Sequence, residues 1–119
     1  KKEFSMMTDE VKTHFKSLGR DQVIMTGIEG HVCVMQSVLD LLEDSVEVHV
    51  VCDAVSSQRA HDRAVALDRM KTSGATMTTT ESVVFDLLRS AAHPNFKTIS
   101  GGLKEHLKIP NDFAESNTL

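Results

Sequence analysis

The chemistry this sequence can offer gathers around one cysteine. Cys33 lies in the run VIMTGIEGHVCVMQSVLDLL, from Val23 to Leu42, where a short apolar stretch gives way to a glycine-flanked loop and then to an amphipathic helical pattern. This places the thiol in the first turn of a helix fed by a buried strand. Backbone N–H groups there are unpaired and carry the positive end of the helix dipole. Both favour thiolate over thiol, and the same amides can hold the oxyanion that forms when a carbonyl is attacked. The pattern therefore points to a nucleophile and to a cysteine hydrolase. The competing reading of Cys33 is a small buried apolar residue. Asp53 and Ser56 follow the next apolar run, where they could line a pocket or cap a helix. His31 stands two residues before the thiol as a pocket candidate, and His49 interrupts a strand as a structural residue or a ligand. The two histidines alone do not make a metal cluster, so no metal or cofactor is expected.

Composition narrows the classes. A chain of 119 residues has room for one real core. A formal charge of −4 and the lack of a basic run argue against general nucleic-acid binding. Two cysteines without paired spacing form neither a disulfide framework nor a zinc motif. Reduced thiols suit an intracellular compartment, so a cytoplasmic location is expected, with a mitochondrial one as the alternative. No apolar run approaches membrane-spanning length. The sequence opens on KKEFSMM without a methionine, which reads as a fragment lacking its upstream part.

These residues need elements to position them. Thr8 before Asp9 and Glu10 predicts an N-cap, with Val11, Phe15 and Leu18 at helical spacing and Gly19 as the stop. Gln22 to Thr26 predicts a buried strand, His31 to Glu43 a helix, and Val46 to Cys52 a β-branched strand. Residues 53–57 read as a polar turn that caps a helix over Gln58–Ser73, with Ala60, Ala64, Leu67 and Met70 or Lys71 facing inward. Arg59, Asp62, Arg63, Asp68 and Arg69 are then expected on its outer face, solvated or available for binding. Ala75 to Thr78 predicts a third strand. Thr78 and Glu81 have capping-box spacing ahead of a helix lined by Val84, Leu87, Leu88 and Ala91. Pro94 breaks that pattern or starts a last short helix through Ile99. The pattern weakens after Gly101 and Gly102, and the tail from about Pro110 is expected to be loose or oligomer-dependent. Alternating helices and strands predict parallel pairing with helices on both faces. Three strands would leave an edge to be covered by upstream strands or by a partner chain.

GIEGHVC with its helix, then VEVHVVCDAVSS, then RAHDRAVALDRMKTSGATMTTTESVVFDLL, resembles the isochorismatase-like cysteine hydrolases, in particular their isochorismatase-domain-containing subgroup. The resemblance runs to about Ile99. It implies a three-layer αβα, Rossmann-like α/β fold with a six-stranded parallel sheet, of which residues 1–119 would form the C-terminal portion with its last three strands. It implies an aspartate, a lysine and a cysteine as catalytic residues. Cys33 matches the nucleophile. Lys1 matches the lysine by its spacing to Ser5 and Met6, with Lys2 as the off-register alternative, and the aspartate would precede Lys1. It also implies a cis peptide at Ile28–Glu29, aiming the Glu29 and Cys33 amides at one oxyanion. Gly30 departs from the threonine of close relatives, which would loosen the loop.

On this resemblance the cysteine points away from isochorismate, a vinyl ether, and toward a small amide-type carbonyl substrate. The implied assembly is a homo-oligomer without membrane or nucleic-acid partners. The alternative is an inactive family member serving as an oligomeric binding module. A ribonuclease or RNA-associated role is a further reading, against which the acidic charge and the 4% aromatic content weigh.

Overall fold

The computed structural model describes residues 2–110. Lys1 and the tail 111–119 lie outside the described residues. The elements, in order, are α1 (Asp9–Ser17), β1 (Gln22–Gly27), a single π-helical turn (Gly30–Val34), α2 (Met35–Glu43), β2 (Glu47–Val55), α3 (Ala60–Thr72), β3 (Thr76–Thr78), α4 (Thr80–Leu88) and α5 (Phe96–His106). The sheet has the order β1-β2-β3, with both pairs parallel. This is the α/β architecture that the alternation predicts.

Strand alternation divides the sheet faces. Met25, Val48, Val50 and Cys52 join Val34, Val38 and Leu41 of the π turn and α2, and Ala66, Leu67 and Met70 of α3, in one buried cluster. Ile24 and His49 point the other way, toward Val83 and Leu87 of α4, across a surface cleft of about 400 Å³. Helices therefore lie on both sides of the sheet. The α4 side is thinly covered, and Ile24 and Leu87 stay exposed there. A ring contact between Phe85 and Phe96, 6.4 Å between centroids, ties α4 to α5.

Several elements differ from the sequence-based expectation, each for a physical reason. Strand β2 runs through Asp53 and Ala54 to Val55 instead of turning at 53. The Asp53 carboxylate is taken up by the N–H and hydroxyl of Thr80, at 2.8 and 3.0 Å, so it caps the start of α4 rather than α3. Helix α3 starts at Ala60 after an extended Arg59, without a side-chain cap. Its buried stripe is Arg63, Ala66, Leu67 and Met70, while Ala60 is exposed and Ala64 only half-buried. Arg63 is thus a core residue and not an outer-face charge. The cap of α4 is Thr79, accepting from the Ser82 N–H, in place of Thr78 with Glu81. That helix stops at Leu88, where Arg89 takes a left-handed φ of 66°. Helix α5 continues through Gly101 and Gly102 because Leu103 is buried beyond them. Helix α1 is capped by Thr8 as expected, yet buries no side chain and leaves Val11 and Leu18 exposed.

Candidate functional site

Strands β1 and β2 end side by side, and the loop between β1 and the π turn is fastened to the end of β2. The Ser56 N–H donates to the Gly27 carbonyl at 3.1 Å, and the Gly30 N–H donates back to the Ser56 carbonyl at 2.8 Å. Between these two bonds the chain reverses at Glu29, whose φ and ψ are 57° and 56°. The described peptide bonds are all trans. The expected cis bond at Ile28–Glu29 is therefore corrected: the left-handed Glu29 turns the backbone. Its carbonyl then accepts from the N–H groups of Val32 and Val34, at 3.0 and 3.2 Å, which starts the π turn. π turns of this kind recur at functional sites.

Gly30 is buried against β2. A β-carbon there would lie 2.7 Å from Val55 Cγ1, 3.1 Å from Ser57 Oγ and 3.3 Å from the Ser56 carbonyl. The glycine lets the loop lie against the end of β2 where a side chain would not fit. Ile28 projects outward at 76% exposure.

Cys33 sits half-buried within the π turn rather than in a first α-helical turn. Its carbonyl accepts from the Ser37 hydroxyl at 2.7 Å, and the Ser37 oxygen accepts from the Met6 N–H at 2.8 Å. The sequence reading missed Ser37. It lies on the apolar stripe with Val34, Val38 and Leu41, and a polar residue at a core position was the available signal. His31 Nδ1 lies 3.0 Å from Ser57 Oγ, and its Nε2 lies 3.8 Å from the Glu29 carboxylate. Glu29, Gly30, His31, Cys33 and Ser56 are therefore gathered at one end of the sheet. Asp53 is turned to Thr80, and His49 pairs with Glu47 at 3.0 Å, away from the thiol.

Beneath this cluster Arg63 holds the end of β2. Its Nε donates to the Val55 carbonyl at 2.8 Å, and its Nη2 donates to the Cys52 carbonyl. These bonds serve the stretch where β1 and β2 lose register: Met25 pairs with Val50, but Gly27 pairs with Val55. Residues 51–54 form a bulge in the ladder, and the guanidinium occupies carbonyls the ladder leaves behind. Burial pulls Arg63 below its ordinary value, with Cys52 and Asp53 opposing the shift; an arginine stays cationic regardless. Burial likewise pushes the Cys52 thiol up, against the Thr78 backbone hydrogen bond and the Arg63 charge that pull it down. Cys52 is thus the inert thiol of the pair. Among the described residues no group of three or more metal-ligating side chains occurs, and no helix is long and apolar enough to cross a membrane.

Comparison with known proteins places the chain among named relatives. Residues 1–82 match the Isochorismatase domain. A Phytophthora sojae protein named secreted isochorismatase effector Isc1 is 48% identical over 115 residues, covering 95% of this chain and 55% of that protein. The chain spans about half the length of the curated relatives it matches. Among solved structures, the MAR1 ribonuclease from Caenorhabditis elegans superposes with a TM-score of 0.84 at 37% identity, covering 100% of this chain and 60% of that one. The YcaC gene product from Escherichia coli, described as an octameric hydrolase of unknown specificity, gives 0.69 at 25% identity, covering 83% and 55%.

Proposed function

Because the chain belongs to the isochorismatase family, whose members are typically hydrolases, we propose that it carries the nucleophile of a cysteine hydrolase acting on a small amide-type carbonyl substrate. The observation that carries this reading is the setting of Cys33. It is a half-buried thiol on a backbone turn locked at the ends of two parallel strands, the place where α/β sheets bind ligands.

The chemistry runs in two halves. An aspartate, which the family resemblance puts ahead of Lys1, takes the thiol proton of Cys33. The sulfur attacks the substrate carbonyl carbon, and the carbonyl electron pair moves onto oxygen, where backbone amides of the turn at Cys33 receive it. The oxyanion collapses, the C–N bond breaks, and the leaving nitrogen takes the proton held by the aspartic acid. Water then adds to the thioester, its proton passes to the aspartate, and the released thiolate recovers it. Lys1 keeps the aspartate ionised. Ile28, Gly30 and His31 form the loop beside the thiol, with Ser56 fastened to it, while Asp53 is taken up by Thr80. A homo-oligomer in a reducing compartment, cytoplasmic or mitochondrial, fits the free thiols and the octameric E. coli relative.

The test is turnover of a panel of small amides by the full-length protein, with intact-mass detection of an acyl adduct. Cys33→Ala should abolish both, a loss on the order of 10³-fold or more. Absence of turnover and adduct in the wild type would favour an inactive binding module. A second reading, ribonuclease action, is favoured by the C. elegans neighbour. RNA cleavage that survives Cys33→Ala while no amide is hydrolysed would replace the first reading with it.

A further inference from the structure

The His31 imidazole stands between two polar side chains that the Cys33 chemistry does not use. Its Nδ1 lies 3.0 Å from the Ser57 hydroxyl, and its Nε2 lies 3.8 Å from the Glu29 carboxylate. A carboxylate, an imidazole and a hydroxyl in that order can make a serine nucleophilic. The ring takes the hydroxyl proton, and the carboxylate orients the ring and steadies the charge it gains. The tautomer protonated at Nε2 faces its proton to Glu29 and leaves the Nδ1 lone pair for the Ser57 hydroxyl to donate to. The Glu29 contact is at ion-pair range, and catalytic contacts of this kind often tighten only when substrate is bound. The three residues lie on two segments fastened together by the Gly30 and Ser56 hydrogen bonds. Ser57 Oγ rests against bare backbone, since a β-carbon on residue 30 would lie 3.1 Å from it. Glu29 keeps a left-handed backbone, with φ 57° and ψ 56°, which a residue of its size holds only where the surroundings impose it. The imidazole is 28% exposed and the carboxylate 44%, and Ser57 is half-buried, so the row is open to a ligand. Residues two apart on a helical turn do not face each other, so His31 and Cys33 serve different sides of the turn.

We propose that Ser57 is a second nucleophile, activated by His31 and Glu29, which accepts the acyl group of small activated esters. The Ser57 proton passes to Nδ1 of His31 as Oγ bonds to the ester carbonyl carbon. The tetrahedral adduct collapses, the bond to the leaving oxygen breaks, and the departing alcohol takes the proton back from the imidazolium. Water, deprotonated by the same ring, then adds to the acyl-serine and frees the acid and the Ser57 hydroxyl. Nothing in this cycle needs the thiol, so it stands apart from the reading of Cys33.

The probe is a small fluorophosphonate, which bonds to the serine oxygen through phosphorus, expels fluoride and stays attached. Label at each serine of the full-length protein is followed in time by peptide mass spectrometry. Ser57 should react on the order of 10²-fold faster than the other serines, the usual worth of a positioned base. His31→Gln should bring it down to their rate, and Glu29→Gln should fall between. p-Nitrophenyl acetate should acetylate Ser57 in the wild type and in Cys33→Ala alike, and Ser57→Ala should lose that acetyl group. A Ser57 rate in the wild type no higher than that of the other serines overturns the proposal, and this measurement needs no variant to fold. A Ser57 rate unchanged in folded His31→Gln, or acetylation abolished in folded Cys33→Ala, overturns it equally. Amide turnover without Ser57 labelling would strike this proposal and leave the Cys33 reading standing, and labelling without amide turnover would do the reverse.

Discussion

Replacing Arg63 by methionine separates two pictures of α3 by an order of magnitude. Were Arg63 one of the solvated charges of an outer face, its loss would cost within about 0.5 kcal/mol. At 4% exposure, with bonds to the carbonyls of Cys52 and Val55, it holds a different position. Methionine is long enough to refill much of the volume but cannot donate. Two buried carbonyls would lose this donor, each at about 1–3 kcal/mol, and the sum is about 2–6 kcal/mol. Small domains hold about 5–15 kcal/mol in all, so this is a large share. Urea unfolding of the full-length protein measures it, through a lower midpoint at constant slope. Arg63→Lys should recover only part of the loss, because one ammonium cannot reproduce the planar fork that spans both carbonyls. A loss under 1 kcal/mol for Arg63→Met would refute the reasoning, since the β2 bulge would then be satisfied without the guanidinium.

Gly30→Ala should cost about 1–3 kcal/mol, as its methyl would press on Val55 Cγ1; in a double-mutant cycle Val55→Ala should return about 1 kcal/mol of coupling, and strict additivity would show that the contact relaxes elsewhere. Alkylation of the native protein at neutral pH should modify Cys33 and spare Cys52 until unfolding, by peptide mapping. The raised Cys52 thiol also sets a sign. The unfolded thiol ionises near its ordinary value, about 8.5, while the folded one resists, so above that pH the unfolded state binds fewer protons and stability falls as pH rises. Cys52→Ala should flatten this alkaline decline in unfolding free energy, and an unchanged slope would place the titration elsewhere.

Much of this architecture was legible because its signals were local. The β-branched run around Val48, Val50 and Val51, the Thr8 cap and the apolar face of Val34, Val38 and Leu41 each announce an element by period or by cap. What misled were residues whose character is settled by distant partners. Asp53 reads as a turn former, yet it stays in a strand because Thr80 takes its carboxylate. Arg63 reads as surface by type, although its spacing to Ala66, Leu67 and Met70 marks the buried stripe. The pattern weakens after Gly101 and Gly102, yet the helix runs on to the buried Leu103. At the site, the collection of Glu29, Gly30 and His31 around Cys33 followed from adjacency. The hold exerted by Ser37 on Met6 did not, because a contact across thirty-one residues leaves no periodic trace.

The two bonds linking Gly27, Ser56 and Gly30 also limit how this protein can be altered. Ile28 and Glu29 bridge two anchored glycines, so the bridge has a set length. An added or deleted residue there would pull one bond out of reach or kink the turn away from Val55. The outward Ile28 side chain, by contrast, can be exchanged without disturbing either anchor. Remodelling of this rim for new ligands should therefore proceed by swapping identity at Ile28, and libraries of loop insertions at the same place should yield mostly unfolded or silent variants.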